Sequence, residues 1–231
     1  MTSVERPPAL DAVVARMREL GAGLPPADGV AVFNGVYLRV AEEVAAQAAA
    51  GAFADDRASA QLAADFAERY LAAVADAAAD RRPPACWRPL LQSRGHGGIH
   101  PLQFALAGIN AHVSHDLPLS LVSVCSALGL DPADVRSDFD RVGDILDRLE
   151  ERIREELMPG PDLLDVADPL THLLGVWSLD KARDGAWATA RALWPLRGLP
   201  EVYGEFAQRL SQSTGLVSRC LLTPLRVPGQ R

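Results

Sequence analysis

Residues 101–117 read Pro-Leu-Gln-Phe-Ala-Leu-Ala-Gly-Ile-Asn-Ala-His-Val-Ser-His-Asp-Leu. Leu102, Leu106, Ile109, Val113 and Leu117 recur at three- and four-residue spacing, the apolar stripe of a helix packed on a core. The remaining circumference is not the charged face of a surface helix: it carries Ala105, Gly108, His112, His115 and Asp116. Such a helix is expected to be central and largely buried. Pro101 opens it, since a first-turn proline loses no needed hydrogen bond, and it should run to about Asp116. There Pro118 kinks or interrupts it, lacking an amide donor and clashing with the carbonyl four residues back.

Outward from this segment the same periodicity predicts helices almost everywhere, and alternating runs long enough for a sheet are missing. Helices are expected near Pro8–Leu20, Gly29–Ala50, Asp55–Ala79 and Trp87–Arg94. Others follow from Asp131 to about Leu157, near Asp168–Trp177, Leu179–Leu193 and Glu201–Gln212. Pro25-Pro26, Pro83-Pro84 and Gly97-Gly98 punctuate the first half. The expectation is a single all-α domain over 1–231, an irregular bundle of eight to ten helices around a buried central one, with 1–7 and 224–231 loose.

The 231 residues carry 23 basic and 30 acidic side chains, net −7, with 48% apolar residues. That balance fits a globular, soluble protein and excludes polyanions, nucleic acid above all, as natural partners. Between Asp131 and Glu156 ten acids face five arginines, so most of the excess charge belongs to one helix with a solvated outer face. No targeting pattern opens the chain, and the nearly apolar Leu117–Leu130 is too short to span a bilayer, so the expected location is cytoplasmic, off the membrane. Cys86, Cys125 and Cys220 lack metal or redox spacing and read as core thiols.

The chemistry concentrates in His112, His115 and Asp116. At about 100° per residue, His115 lies about 60° to one side of His112 and Asp116 about 40° to the other, so all three leave one face. Gly108 and Ala105, one and two turns earlier, are expected to leave room for a ligand. Burying two imidazoles and a carboxylate is costly unless they pair with each other, with water or with a metal. Three readings follow. His112, His115 and Asp116 could ligate zinc, iron or manganese, giving a hydrolase-like enzyme that activates water for attack on a small, partly apolar molecule. A histidine oriented by Asp116 could instead act as acid and base in a metal-free cyclase or isomerase. Or the cluster only fixes helix packing in a non-catalytic binding or scaffold protein. Asp138, on the edge of an apolar stripe, is a further catalytic candidate, as fourth ligand or as a solvent-facing acid near a helix amino terminus. Arg183, among Trp177, Trp187 and Trp194, would position an anionic group; Trp187 would wall the pocket, and Asn110 is a third candidate for substrate binding. His96 and His100 are loop or cap histidines, His172 could join Asp180 and Arg183, and Tyr37 is core. No H-E-x-x-H, E-x-x-H, G-x-S-x-G or P-loop occurs, so no nucleotide cofactor is expected.

The run Gly108-Ile-Asn-Ala-His112-Val-Ser-His115-Asp116-Leu117-Pro118, with Asp138-Phe139 and Ala182-Arg183-Asp-Gly-Ala-Trp187, resembles a bacterial helical family of unknown function, domain of unknown function 5995. The resemblance covers roughly Phe33 to Trp194 and implies no particular activity. Where that pattern continues Asp-Phe-x-x-Val-Asn, this chain has Gly143. A weaker resemblance is to HD-type metal phosphohydrolases. It implies His115-Asp116 as a metal-binding dyad, His96 or His100 as the early histidine and Asp138 as the late carboxylate, although Leu117-Pro118-Leu119 replaces the usual Ile-Gly-Lys-like continuation.

Overall fold

The computed structural model describes residues 8–157 and 178–225. Among these residues every regular element is helical, as expected. In order they are α1 (Pro8–Ala22), α2 (Gly29–Ala49), α3 (Asp56–Ala78), α4 (Arg88–Ser93) and α5 (Pro101–Ala111). A π-helical turn (His112–Asp116), α6 (Leu117–Leu128), a 3₁₀ turn (Pro132–Val135) and α7 (Arg136–Leu157) follow. Then come α8 (Leu179–Leu193), a second 3₁₀ turn (Trp194–Gly198) and α9 (Pro200–Leu221). The expected helix at 168–177 and most of the expected loose ends lie outside the described residues. Among these residues no single helix is long and apolar enough to cross a membrane.

The helix starts follow from short polar side chains at the caps. Asp28 accepts from the Val30 amide, Asp55 from the Ala58 amide, and His100 forms a capping box with Gln103. Gly129 closes α6 with φ 69°, a left-handed cap that glycine adopts without strain. The last helix runs past the expected Gln212 to Leu221. Its inner face there is Ser211, Thr214, Gly215 and Ser218, all buried and too polar to register as an apolar stripe.

Two glycines set how the centre packs. A Cβ on Gly29 would overlap the Phe104 ring, and one on Gly108 would overlap Phe33. Each phenylalanine thus fills a notch on the other helix, and the equal four-residue steps make α2 and α5 run in the same direction. On its other side α5 is laced to α9: the Gln103 amide donates to the Leu221 and Thr223 carbonyls, both at 2.8 Å. The apolar interior forms two clusters, one built on α1, α2, α3 and α5 and one on α6, α7 and α8. Phe66, Ile109 and Leu146 pack against both. After α6 the path turns by 110° into α7. That helix exposes Asp140 and Asp144 as expected of a solvated face, but it buries Asp138.

Candidate functional site

The α-helix expected through Asp116 ends at Ala111, and the next five residues wind more loosely. Pro118 supplies the reason. It has no amide to give the Ser114 carbonyl, and its ring crowds that oxygen. The chain answers with a π turn, in which the Leu117 amide bonds to the His112 carbonyl five residues back. The rod continues without a break, and the turn brings both imidazoles onto one carboxylate.

Asp116 is the hub. Its Oδ2 accepts from the Trp87 indole N–H at 2.9 Å and from His112 Nδ1 at 3.0 Å, and its Oδ1 from His115 Nδ1 at 2.7 Å. All four side chains are buried. Burial by itself would raise the Asp116 pKa; the hydrogen bonds and charges of the two histidines outweigh it and hold the carboxyl below its ordinary value. With Asp116 ionised, both imidazoles donate from Nδ1, and in a neutral His112 ring this leaves Nε2 as the acceptor. Burial, only partly offset by Asp116, depresses the His112 pKa, so this ring is neutral near pH 7.

His112 is also clamped by rings. Phe66 stacks on it with centroids 3.5 Å apart, and Tyr37 meets it edge-on at 4.4 Å. Its Nε2 is buried without a hydrogen-bond partner. An orphaned buried nitrogen costs about 1–3 kcal/mol and calls for an explanation. His112 is among the residues that line a cavity of about 150 Å³, with side chains from α2, α3, α5, α6, α7 and α8, although Nε2 itself presents no surface to it. Tyr37, read from sequence as core, lines it too; burial and then the Asp116 charge push its pKa well up, so the phenol stays protonated. His115 and Asp116 lie behind this wall, outside the lining.

The other candidates fall in different places. Gly108 does not open room for a ligand: the notch it leaves is filled by Phe33. Asn110 donates to the Thr214 carbonyl and the Ser218 hydroxyl, tying α5 to α9 away from the cavity. Asp138 reaches the cavity, yet both oxygens are engaged at the start of α3, by the Ala54 and Asp55 amides and the Ser59 hydroxyl. Arg183 also lines the cavity, donating to the Phe139 carbonyl at 2.7 Å across the space that Gly143 leaves. Trp187 packs on Phe139 at 5.0 Å with Arg136 over its ring and is not part of the lining. His96 is exposed and accepts from the Gly98 amide, while His100 caps α5 through the Leu102 amide; neither joins His115-Asp116. His172 lies outside the described residues. Cys220 is exposed, unlike the other two thiols.

Sequence reading missed Trp87, Phe66 and Cys86. Among the described residues, the side chains whose ligand atoms gather within 4.8 Å of one another are Cys86, His115 and Asp116, a set that includes two of the three expected metal ligands and replaces His112 by the thiol. Burial raises the Cys86 pKa far above that of an ordinary thiol. Trp87 carried one sequence signal: a buried indole N–H needs an acceptor, though nothing local names Asp116.

No curated protein and no solved structure matches the chain. A family model does, described as Family of unknown function (DUF5995), and it matches residues 10–224. Covering nearly the whole sequence, that match places the chain in this family.

Proposed function

We propose that the protein is a metal-free acid–base enzyme of the isomerase or cyclase class, acting on a small apolar molecule held in the cavity. The observation that carries this reading is His112 Nε2, unpartnered and buried on a ring in the cavity wall. Asp116 fixes the tautomer by accepting a hydrogen bond from Nδ1–H, so Nε2 is the basic atom, and Asp116 also stabilises the imidazolium formed when Nε2 accepts a proton. Tyr37, kept protonated in the same wall, supplies an O–H for the oxygen on which charge develops. The proton that His112 takes from carbon is returned to another carbon of the same molecule, which leaves the composition unchanged.

The test is proton exchange at carbon. Straight-chain methyl ketones incubated with the protein in D₂O should gain deuterium next to the carbonyl, and His112→Gln should slow this by about 10²–10⁴-fold. No incorporation above buffer with the wild type, or an unchanged rate in the variant, overturns the reading.

A second reading rests on the convergence of Cys86, His115 and Asp116: a divalent transition metal held there would support hydrolysis. Thiolate, imidazole and carboxylate suit zinc or iron. Against it, both Asp116 oxygens already accept N–H bonds, and His115 would have to surrender its Nδ1 contact or bind through Nε2. Elemental analysis of tag-free protein decides: about one equivalent of zinc, iron or manganese favours this reading, and less than about a tenth with no rebinding removes it.

A further inference from the structure

Phe66, Ile109 and Leu146, the side chains that pack against both apolar clusters, also line the cavity. The cavity therefore lies on the seam between the clusters, with Val40 and Ala41 of one and Leu121 and Phe139 of the other in its walls. Most of its polar lining groups are engaged with the protein. The Ser59 hydroxyl donates to Asp138, which also accepts two backbone amides, and Arg183 donates to the Phe139 carbonyl. His112 Nε2 presents no surface to the space. The Tyr37 hydroxyl and the Cys125 thiol complete the polar part of the lining. A water molecule needs two to four hydrogen-bond partners, more than one hydroxyl and one thiol supply, so these walls hold water poorly.

We infer that the cavity binds one compact, weakly polar molecule of about six to eight carbons, the size of benzene or ethylbenzene. This deepens the acid–base reading by fixing the size and polarity of the substrate, and it rests on that reading for turnover alone; binding asks nothing of Nε2. Volume sets the upper limit. An apolar cavity of about 150 Å³ accepts benzene, and close-packed walls do not make way for a second ring without strain. The walls set the polarity: a polyol or a carboxylate would lose its hydration and find the polar groups already taken. Position sets the consequence. A guest on the seam touches both clusters, so it binds the folded bundle and not the unfolded chain, and stabilises both halves together.

The experiment uses the full-length protein, thermal shift and NMR, with benzene, toluene, ethylbenzene, naphthalene, biphenyl and resorcinol as probes. The three single-ring hydrocarbons should raise the unfolding midpoint as their free concentration rises. Naphthalene and biphenyl should bind at least about tenfold more weakly despite their larger apolar surface, and resorcinol, a benzene ring with two hydroxyls, should leave the midpoint where it is. Nuclear Overhauser contacts from benzene should reach the methyls of Val40, Leu121 and Val124 in the cavity wall, and not those of Val202 or Leu216, exposed on α9. Ala41→Leu adds side-chain volume to the space and should weaken benzene at least about tenfold while the unfolding midpoint holds or rises. An unmoved midpoint with every single-ring hydrocarbon, biphenyl tighter than benzene, contacts confined to Val202 and Leu216, or unchanged benzene affinity in Ala41→Leu each overturns the inference. Where that variant does not fold, the size series and the contacts decide on the wild type alone. Benzene binding without deuterium exchange into ketones keeps the site and removes the enzyme reading; exchange without benzene binding does the reverse.

Discussion

Trp87 gives Asp116 a third buried hydrogen bond beside those of the two histidines. The indole is fully buried and gives its N–H to the carboxylate that both histidines share. Trp87→Phe keeps most of the packing and removes that donor. The expected loss is about 2 kcal/mol, a hydrogen bond to a buried charge, read by calorimetry as a midpoint lower by roughly 4–8 °C; an unchanged midpoint would mean that Asp116 does not depend on the indole. The acid limb of the stability curve follows from the two depressed pKa values. The His112 ring is harder to protonate folded than unfolded, so stability rises with pH from its depressed value up to the ordinary 6.5 and then levels. Asp116, also depressed, contributes fully above the ordinary carboxylate value of 3.8, and that contribution is lost as pH falls through its folded value. Denaturant titrations between pH 4 and 8 should therefore show a slope below pH 6.5 that His112→Gln flattens. The sequence made His112, His115 and Asp116 legible because they are neighbours on one turn. Trp87 was not, since its link to Asp116 spans 29 positions and leaves no periodic trace.

At the level of elements, α2 and α5 depend on two glycine notches. Gly108→Ala drives a methyl into the Phe33 ring. Overpacking should outweigh the helix-propensity gain and destabilise by about 1–3 kcal/mol, whereas Gly185→Ala in α8, with nothing within 4 Å, should stabilise by up to about 1 kcal/mol. Pairing Gly108→Ala with Phe33→Val should recover part of the loss, a coupling visible in a double-mutant cycle. Identical unfolding free energies for the two alanine variants would remove the notch from the account. Helix positions were legible wherever an apolar stripe existed: Leu179–Leu193 lies where periodicity puts it. The role of Gly108 was misread, because an absent side chain looks the same whether a ligand or a phenylalanine from another helix fills the space.

For the molecule as a whole, Phe66, Ile109 and Leu146 belong to the packing of both apolar clusters, so neither closes without the other. Calorimetry should show one cooperative transition, with van't Hoff and calorimetric enthalpies in agreement; two resolved transitions would separate the α1–α5 half from the α6–α8 half. The same sharing explains why the cavity was illegible in the sequence. Its walls come from residues between Phe33 and Arg183 on six helices, and each contributes ordinary apolar side chains that read as core. Asp138 is instructive here: its burial was half legible, from its place beside an apolar stripe, but its partners at 54, 55 and 59 exist only in the assembled bundle.

The π turn at His112–Asp116 holds one residue more than α winding would need. Counted that way it is an insertion tolerated inside a continuous rod. Removing one residue there would restore plain α winding and leave α6 within a few tens of degrees of its present phase, because the looser turn absorbs the extra residue. The loss would fall on the turn itself, where the spacing between His112 and the His115-Asp116 pair would change by a full residue. The turn keeps α5 and α6 in register with their own parts of the interior, and the imidazole cluster occupies the point where the extra residue is taken up. The number of residues in this turn is therefore a constraint on the site as strict as the identity of any of them.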